Sequence, residues 1–303
     1  MKKYKCLVCG YVHEGNEAPE KCPTCGAGAS EFTLIEDNSP KKSKGFLGGK
    51  NSNAYIIFYS TVMVVIVAAV LAFAALSLSS LQQENIEAEK KSDLLKAIGV
   101  PVEKVAEFNK YITSSFCINE QGEKIEGADA FNVLLSIKEE YEKPMAERQL
   151  PLFIGDTDGK VRYIIPVYGS GLWGPIWGYI ALEDDWSTIS GVVFDHKGET
   201  PGLGAEITTS AFQHQFVGKT IYNDGKIVGI KVLKGAGASE GNPNAVDAIS
   251  GGTITSRGVE TMIMSCLEGY SKYIDQCRAK MQEQTENVEE PVSDESTKNQ
   301  ENE

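Results

Sequence analysis

The hydrophobic and polar positions of the chain fall into blocks of different period. From Asn51 to Gln83 no residue is charged, and the run YIIFYSTVMVVIVAAVLAFAALSLSSL is apolar well past the roughly twenty residues that cross a bilayer. It is too long and too far from the first residue for a secretory leader, which predicts a retained transmembrane helix over residues 54–81. Helical patterning continues through QQENIEAEKKSDLLKAIG to about Gly99, and VEKVAEFNKYI predicts a second helix. Between about 150 and 233 the period changes. LPLFI, VRYIIPVY, IWGYIALE, ISGVVFD and IVGIKVL are rich in β-branched and aromatic residues and are bounded by turn signals such as DTDG and NDGK, which predicts strands. A helix returns from Thr255 to about Lys280, where Val259, Met262, Ile263, Cys266, Tyr270, Tyr273 and Ile274 recur at three-and-four spacing.

This pattern predicts an α+β protein in five parts. A small cysteine-bearing head occupies 1–36, and a Pro-, Gly-, Ser- and Lys-rich linker follows over 37–53. The apolar span leads to a mixed strand and helix domain over 82–285. The acidic stretch 286–303 holds almost no apolar residues and is expected to be disordered.

Charge adds an orientation. Lys41, Lys42, Lys44 and Lys50 precede the span, whereas Glu84, Glu87 and Glu89 come first on its other side. The excess of lysine places the N-terminus in the cytoplasm and the larger domain outside. Tyr55 and Tyr59 suit the lipid interface at the first boundary. A formal net charge of −13 over 303 residues argues against nucleic acid as a partner, since phosphate binding needs clustered Lys and Arg. The lipid bilayer is the partner the span requires. With no acidic or basic residue in it, this single span is not expected to conduct ions.

Four of the seven cysteines, Cys6, Cys9, Cys22 and Cys25, stand as two C-x-x-C pairs. Such spacing points to a tetrahedral four-thiolate metal site rather than to disulfides. Gly10 and Gly26 follow each pair and permit the backbone angles of a tight knuckle that turns amides toward the sulfurs. Iron and zinc both fit four thiolates. His13, between the pairs, is surplus to a complete ligand set and is expected at the surface. Cys117, Cys266 and Cys277 are scattered and read as small core residues. Cys266 and Cys277 share one predicted helix about 16 Å apart, too far to bridge.

Two further stretches carry candidate chemistry: HKGETPGLGAEI from His196 and VDAISGGTITSRGVE from Val246. Gly198, Gly202 and Gly204 allow the backbone close to a ligand, and Pro201 stiffens the turn. Thr255 and Ser256 sit where the last helix is expected to begin, so either serves as an N-cap. A helix start also offers free amides and a positive dipole end, a resting place for a phosphate.

The CGYVHEG and APEKCPTCGA segments resemble the rubredoxin-like domain of rubrerythrins over most of residues 1–36, which implies one Fe held by the four cysteines, with Zn as the alternative. The stretch Asp247, Ala248, Ile249, Ser250, Gly251, Gly252, Thr253, Ile254, Thr255 resembles the flavinylation motif Asp-x-x-(Ser/Thr)-Gly-Ala-(Ser/Thr)-x-Thr. The resemblance implies FMN joined through its phosphate to Thr255 by a flavin transferase. Ser250, Gly251 and Thr253 would lie around that phosphate, with Glu199, Thr200, Gly202, Leu203 and Gly204 of the other stretch beside the cofactor. Gly252 replaces the usual alanine, a change expected to be sterically permissive.

Taken together with GSGLWGPIWGYIALE, residues 50–280 resemble the NqrC family, flavoprotein members of the Na⁺-translocating NADH:quinone reductases of bacterial inner membranes. The resemblance implies an electron-transfer subunit working with the other subunits of a membrane complex, with its flavin domain on the periplasmic side. It also resembles the flavoprotein subunit of Rnf-type ferredoxin:NAD oxidoreductases; a non-enzymatic, membrane-anchored flavin sensor or scaffold is the remaining alternative. The chain carries no dinucleotide fingerprint, so NADH oxidation is expected on a partner. The cysteine-bearing head is absent from the usual NqrC pattern and is expected to act as a cytoplasmic electron-transfer or docking module.

Overall fold

The computed structural model describes residues 2–35 and 53–288, with side chains to 283. The linker, its four lysines and most of the acidic tail lie outside the described residues. The chain divides into two compact units, Met1–Leu78 and Ser79–Glu303.

In the first unit β1 (Lys2–Cys6) is flanked antiparallel by β2 (Val12–Gly15) and β3 (Phe32–Ile35), with Tyr4 opposite His13 and Cys6 opposite Phe32. The apolar helix Asn53–Ala97 begins in this unit. It is long and apolar enough to cross a membrane, and its apolar window is wholly unburied. From Ser79 its last turns belong to the second unit, where Leu94, Leu95 and Ala97 are buried. Gly99, at φ +78°, ends the helix where the sequence predicted. Its N–H donates to the Lys96 carbonyl and that of Val100 to the Leu95 carbonyl, both at 2.9 Å, a Schellman closure.

The second unit is built on a six-stranded antiparallel sheet in the order β5-β4-β6-β7-β8-β9. Its strands are β4 (Ile112–Ile118), β5 (Lys124–Ile125), β6 (Leu150–Thr157), β7 (Lys160–Ser170), β8 (Pro175–Leu182) and β9 (Ile189–His196). Both faces are covered, and the alternation of a strand sorts its side chains between them. Leu150, Leu152, Ile165, Val167, Ile176 and Ile180 face the core under the helix Thr253–Val288. Phe153, Ile164, Tyr179 and Ala181 face Leu94, Leu95 and the helix Ala130–Leu135.

The four strands predicted between 150 and 196 are all present. The second predicted helix is not. VEKVAE forms a 3₁₀ segment over Val102–Glu107, and a single α-turn over Phe108–Tyr111 follows. From Ile112 the chain becomes β4, because Ile112, Cys117 and Ile118 are buried beside β6 and tertiary pairing overrides local propensity. IVGIKVL breaks into Lys226–Ile227 and Lys231–Leu233, with Gly229 at φ +64° between them. The last helix starts at Thr253, two residues earlier than expected, and runs to Val288, into the segment expected as tail.

A candidate functional site and a four-thiol cluster

In the head, the Cys6 and Cys22 carbonyls accept from Gly10 and Gly26 N–H, each at 2.9 Å, and both glycines have positive φ. These are the two knuckles that the spacing implied. Cys6 and Cys25 place their sulfurs 3.7 Å apart, and Cys9 and Cys22 theirs 3.5 Å apart. All four lie within 4.8 Å of one another. A tetrahedron with metal–sulfur bonds of about 2.3 Å has an edge of about 3.8 Å, so the cluster fits a metal of that size. Burial works against ionising Cys22, but the N–H groups of Cys25 and Thr24 and the Cys9 thiol hold it down to about 6. Cys6 and Cys22 are buried while Cys9 and Cys25 reach the surface. His13 stands outside the cluster, half-buried on β2 rather than fully exposed. Cys117 and Cys266 are core residues, and Cys277 packs half-buried against the main core.

In the second unit the two glycine-rich stretches meet. The Thr255 hydroxyl donates to Glu199 Oε2 at 2.6 Å, and both residues are buried, at 1% and 4% exposure. Trp173 N–H donates to the other Glu199 oxygen at 2.8 Å, and the Glu199 N–H donates to His196 Nδ1 at 3.1 Å. Burial pushes the Glu199 carboxyl up, but the Thr255 hydroxyl and the Trp173 and Gly174 amides outweigh it and hold it below the usual carboxylate range.

Gly204 packs directly on Thr255: a Cβ there would collide with Oγ1 and stand 2.6 Å from Glu199 Oε2. Leu203 covers the other glycines. A Cβ on Gly251 would stand 2.5 Å from Leu203 Cδ2, and one on Gly252 would stand 2.9 Å from the Leu203 carbonyl oxygen. Alanine at 252 is therefore not freely accommodated, and the glycine is matched to the position of Leu203.

Neither Thr255 nor Ser256 is the N-cap. With the helix starting at Thr253, both lie in its first turn, and the Gly252 carbonyl accepts the first helical bond, from Ser256 N–H at 2.9 Å. Ser256 Oγ also donates to that carbonyl and accepts from Ile249 N–H, pinning the preceding turn. Ser250, Gly251, Thr200, Gly202 and Leu203 are exposed around this turn, and Thr253 is half-exposed. Asp247 organises a different loop, accepting from Gly237 and Ser239 N–H.

Sequence reasoning missed the Trp173 and Gly174 amides and His196, the groups that hold Glu199. The GSGLWGP turn stands out in the sequence only as a family marker. Four exposed apolar side chains border the meeting point: Leu172, Trp173, Leu203 and Ile254. Apolar surface beside a helix start with exposed hydroxyls fits a flat ring system carrying a phosphate. A cavity of about 630 Å³ lined by Asp93, Lys96, Asp195, His196, Gln213 and His214 does not include Thr255, so volume alone does not mark this site.

Comparison with known families agrees. Residues 171–268 match the FMN-binding domain, and residues 4–33 match the rubrerythrin, rubredoxin-like domain. The protein is thus of the FMN-binding-domain class, with a rubredoxin-like head on the same chain.

The NqrC component of the Na⁺-translocating NADH-quinone reductase of Vibrio campbellii is 32% identical over 213 residues, covering 63% of this chain and 81% of that one. Its Vibrio anguillarum counterpart is 34% identical over 209 residues with the same coverage. The crystal structure of NqrC from Parabacteroides distasonis is 40% identical, with a TM-score of 0.58 over 65% of this chain and 96% of that one. That of Shewanella oneidensis NqrC is 30% identical, with a TM-score of 0.55 over 64% and 98%. The chain belongs to the NqrC family of the Na⁺-translocating NADH-quinone reductases.

Proposed function

We propose that this protein is the electron-transfer subunit of a membrane Na⁺-translocating NADH:quinone oxidoreductase, carrying FMN bound through its phosphate to Thr255. The observation that carries the reading is the convergence of ETPGLG and SGGTITS on one buried hydroxyl, that of Thr255, in the first turn of a helix. First-turn amides have no intrahelical acceptor and favour an anion, so a phosphate on Thr255 would find donors there. Ser250, Gly251 and Thr253 border the same turn; Thr200, Gly202, Leu203 and Gly204 form the facing wall. Glu199 sets the position of the anchor. When bound, FMN supplies one-electron chemistry, and the protein supplies attachment, orientation and exclusion of water.

The rest of the assignment follows the sequence. Residues 54–81 anchor the protein in the bacterial inner membrane, with the N-terminus cytoplasmic and the domain over 82–285 periplasmic, on the strength of the lysine-rich flank. The other subunits of the complex oxidise NADH and pass Na⁺, and a flavin transferase attaches the cofactor during maturation. The head over 1–36 holds Fe, supported by its likeness to the rubredoxin-like domain. It serves as a cytoplasmic electron-transfer or docking module.

The direct test replaces Thr255 by Ala and looks for flavin fluorescence in the denatured band. Fluorescence should vanish in Thr255→Ala and persist in Thr253→Ala. Fluorescence that survives in Thr255→Ala overturns the attachment.

A further inference from the structure

We infer that the outer edge of β9 is a docking groove for an extended segment of another subunit, which joins the sheet there as a further strand. The groove needs no flavin; it rests only on the reading that this chain works within a complex.

β9 is the last strand in the sheet order, so one of its two sides has no sheet strand beside it. The alternation of an antiparallel pair decides which main-chain groups face that side. Lys197 N–H donates to the Pro175 carbonyl at 3.0 Å, and the bonded pairs continue as Trp177 with Asp195 and Tyr179 with Val193. Pro166 agrees: it lies opposite Tyr179 on β7 and has no N–H, so the Tyr179 groups turn to β9. Val192, Phe194 and His196 therefore point their main-chain groups outward. The Phe194 carbonyl accepts from Gln213 Nε2 at 3.1 Å, and His196 N–H donates to Asp195 Oδ1 at 2.7 Å. Val192 N–H, the Val192 carbonyl and Phe194 N–H have no partner among the described residues.

This edge is recessed. The cavity of about 630 Å³ is lined by every residue from Ser190 to His196, with Asp93 and Lys96 on one side and Ser210, Gln213 and His214 on the other. Only a groove along the edge touches seven successive residues of a strand and both covering layers. The wall at Ala97 stands close, since a Cβ on Gly191 would collide with the Ala97 carbonyl oxygen. A further strand is already begun at the other end, where Ile189 N–H donates to the Lys219 carbonyl and Gly218 N–H to that of Ile189, both at 2.8 Å. An added segment continues that line from Val192 to His196, about 17 Å at about 3.3 Å per residue.

Shape and charge choose the occupant. Unpaired main-chain donors and acceptors along an edge are matched by a strand lying about 4.8 Å away. A second copy of this chain is excluded, because its own edge lies between the same walls and the two cannot close to that distance. Asp93, 5% exposed, and Asp195 line the groove against Lys96, with Glu89 and Lys90 cancelling behind them. The opposite wall adds only His214 to the titratable groups. An acidic segment such as residues 286–303 of this chain is disfavoured there, and a neutral or basic one fits.

The test compares the full-length chain in detergent with the purified membrane complex. The Val192 and Phe194 amides should exchange hydrogen slower by about tenfold or more in the complex. Val192→Pro removes an outward N–H where an edge strand tolerates proline, so it should keep the fold and weaken association about tenfold. Val193→Pro, whose N–H bonds to β8, should disrupt the sheet instead. Ser210→Trp fills the groove from its wall and carries the test if Val192→Pro does not fold. A photo-crosslinker at Ser210 identifies the occupant through the mass of the linked peptide.

Protected amides, weakened assembly of the folded variants and a crosslink to an extended segment of another subunit support the inference. Unchanged exchange, wild-type assembly of Val192→Pro and Ser210→Trp, or a crosslink to this chain's own tail or to a second copy overturns it. If the wild-type chain purifies with no other subunit, the subunit reading falls and takes the groove's role with it.

Discussion

Gly258 lies so close to the Ser170 carbonyl that a Cβ on it would stand 2.6 Å from the oxygen. Glycine inside a helix costs about 1 kcal/mol relative to alanine, so this position works against local propensity. The return is a close approach of the helix Thr253–Val288 to β7. One turn on, a Cβ on Gly169 would stand 2.8 Å from Met262 Cβ. These contacts set how the helix sits on the sheet and, one turn earlier, bring Thr255 to Glu199.

Gly258→Ala should therefore destabilise the second unit by about 1–3 kcal/mol, the usual cost of overpacking, despite the gain in helix propensity. It should also slow flavin labelling by displacing the first turn. Thermal denaturation of the variant and in-gel fluorescence check both, and a raised midpoint would show that propensity wins over the close approach.

Acid should act through Glu199. Its carboxyl is held below the usual range: burial raises it, and the Thr255 hydroxyl with the Trp173 and Gly174 amides more than offsets this. A depressed folded-state pKa contributes stability that is present above the unfolded value, about 4.3, and is lost as pH falls through the folded one. The stability difference between wild type and Glu199→Gln should thus shrink as pH drops below about 5. Urea titrations at a series of pH values measure it; a difference independent of pH would mean that folding does not shift the Glu199 carboxyl, and one that grew as pH fell would mean that the carboxyl is protonated in the folded protein.

The head should depend on its metal and the second unit should not. Cys22→Ser removes a buried ligand of the four, so metal content should fall and the sheet β2-β1-β3 should lose order, because binding energy in such sites is folding energy. The two units are separately compact, so the thermal midpoint of the flavin domain should not move. Elemental analysis and visible absorption of the purified chain also decide the metal. Iron–thiolate charge transfer colours the protein and bleaches on reduction, whereas zinc gives no band.

The parts of the fold that were legible are those governed by local period. Of the residues at three-and-four spacing, Val259, Met262, Ile263, Cys266, Tyr270 and Ile274 are buried, and Tyr273 is half-buried against the same core. The strands from Leu150 to His196 follow the alternation that sorts Ile164 from Ile165 onto opposite faces. β4 was illegible because only its first residue, Ile112, fell within a predicted element, and pairing with β6 is what makes ITSSFCI a strand. The helix start was misplaced because the two glycines of SGGTITS read as a turn running up to Thr255. In the structure the turn ends at Gly252 and the threonines already belong to the helix.

By itself the sequence determined the four-thiol cluster, the apolar span and the family motif around Thr255, since each is a matter of spacing or composition within a short stretch. Which hydroxyls are buried, and against what, was decided only by the tertiary structure. Ser250, Thr253, Thr255 and Ser256 are chemically alike in the sequence. Of these, Thr255 is the one bonded to Glu199, because the helix, set against β7 by Gly258 and Gly169, turns that side chain inward beneath Gly204. A contact between residues 56 positions apart depends on sheet order and on close backbone approach, and neither is written in a local pattern.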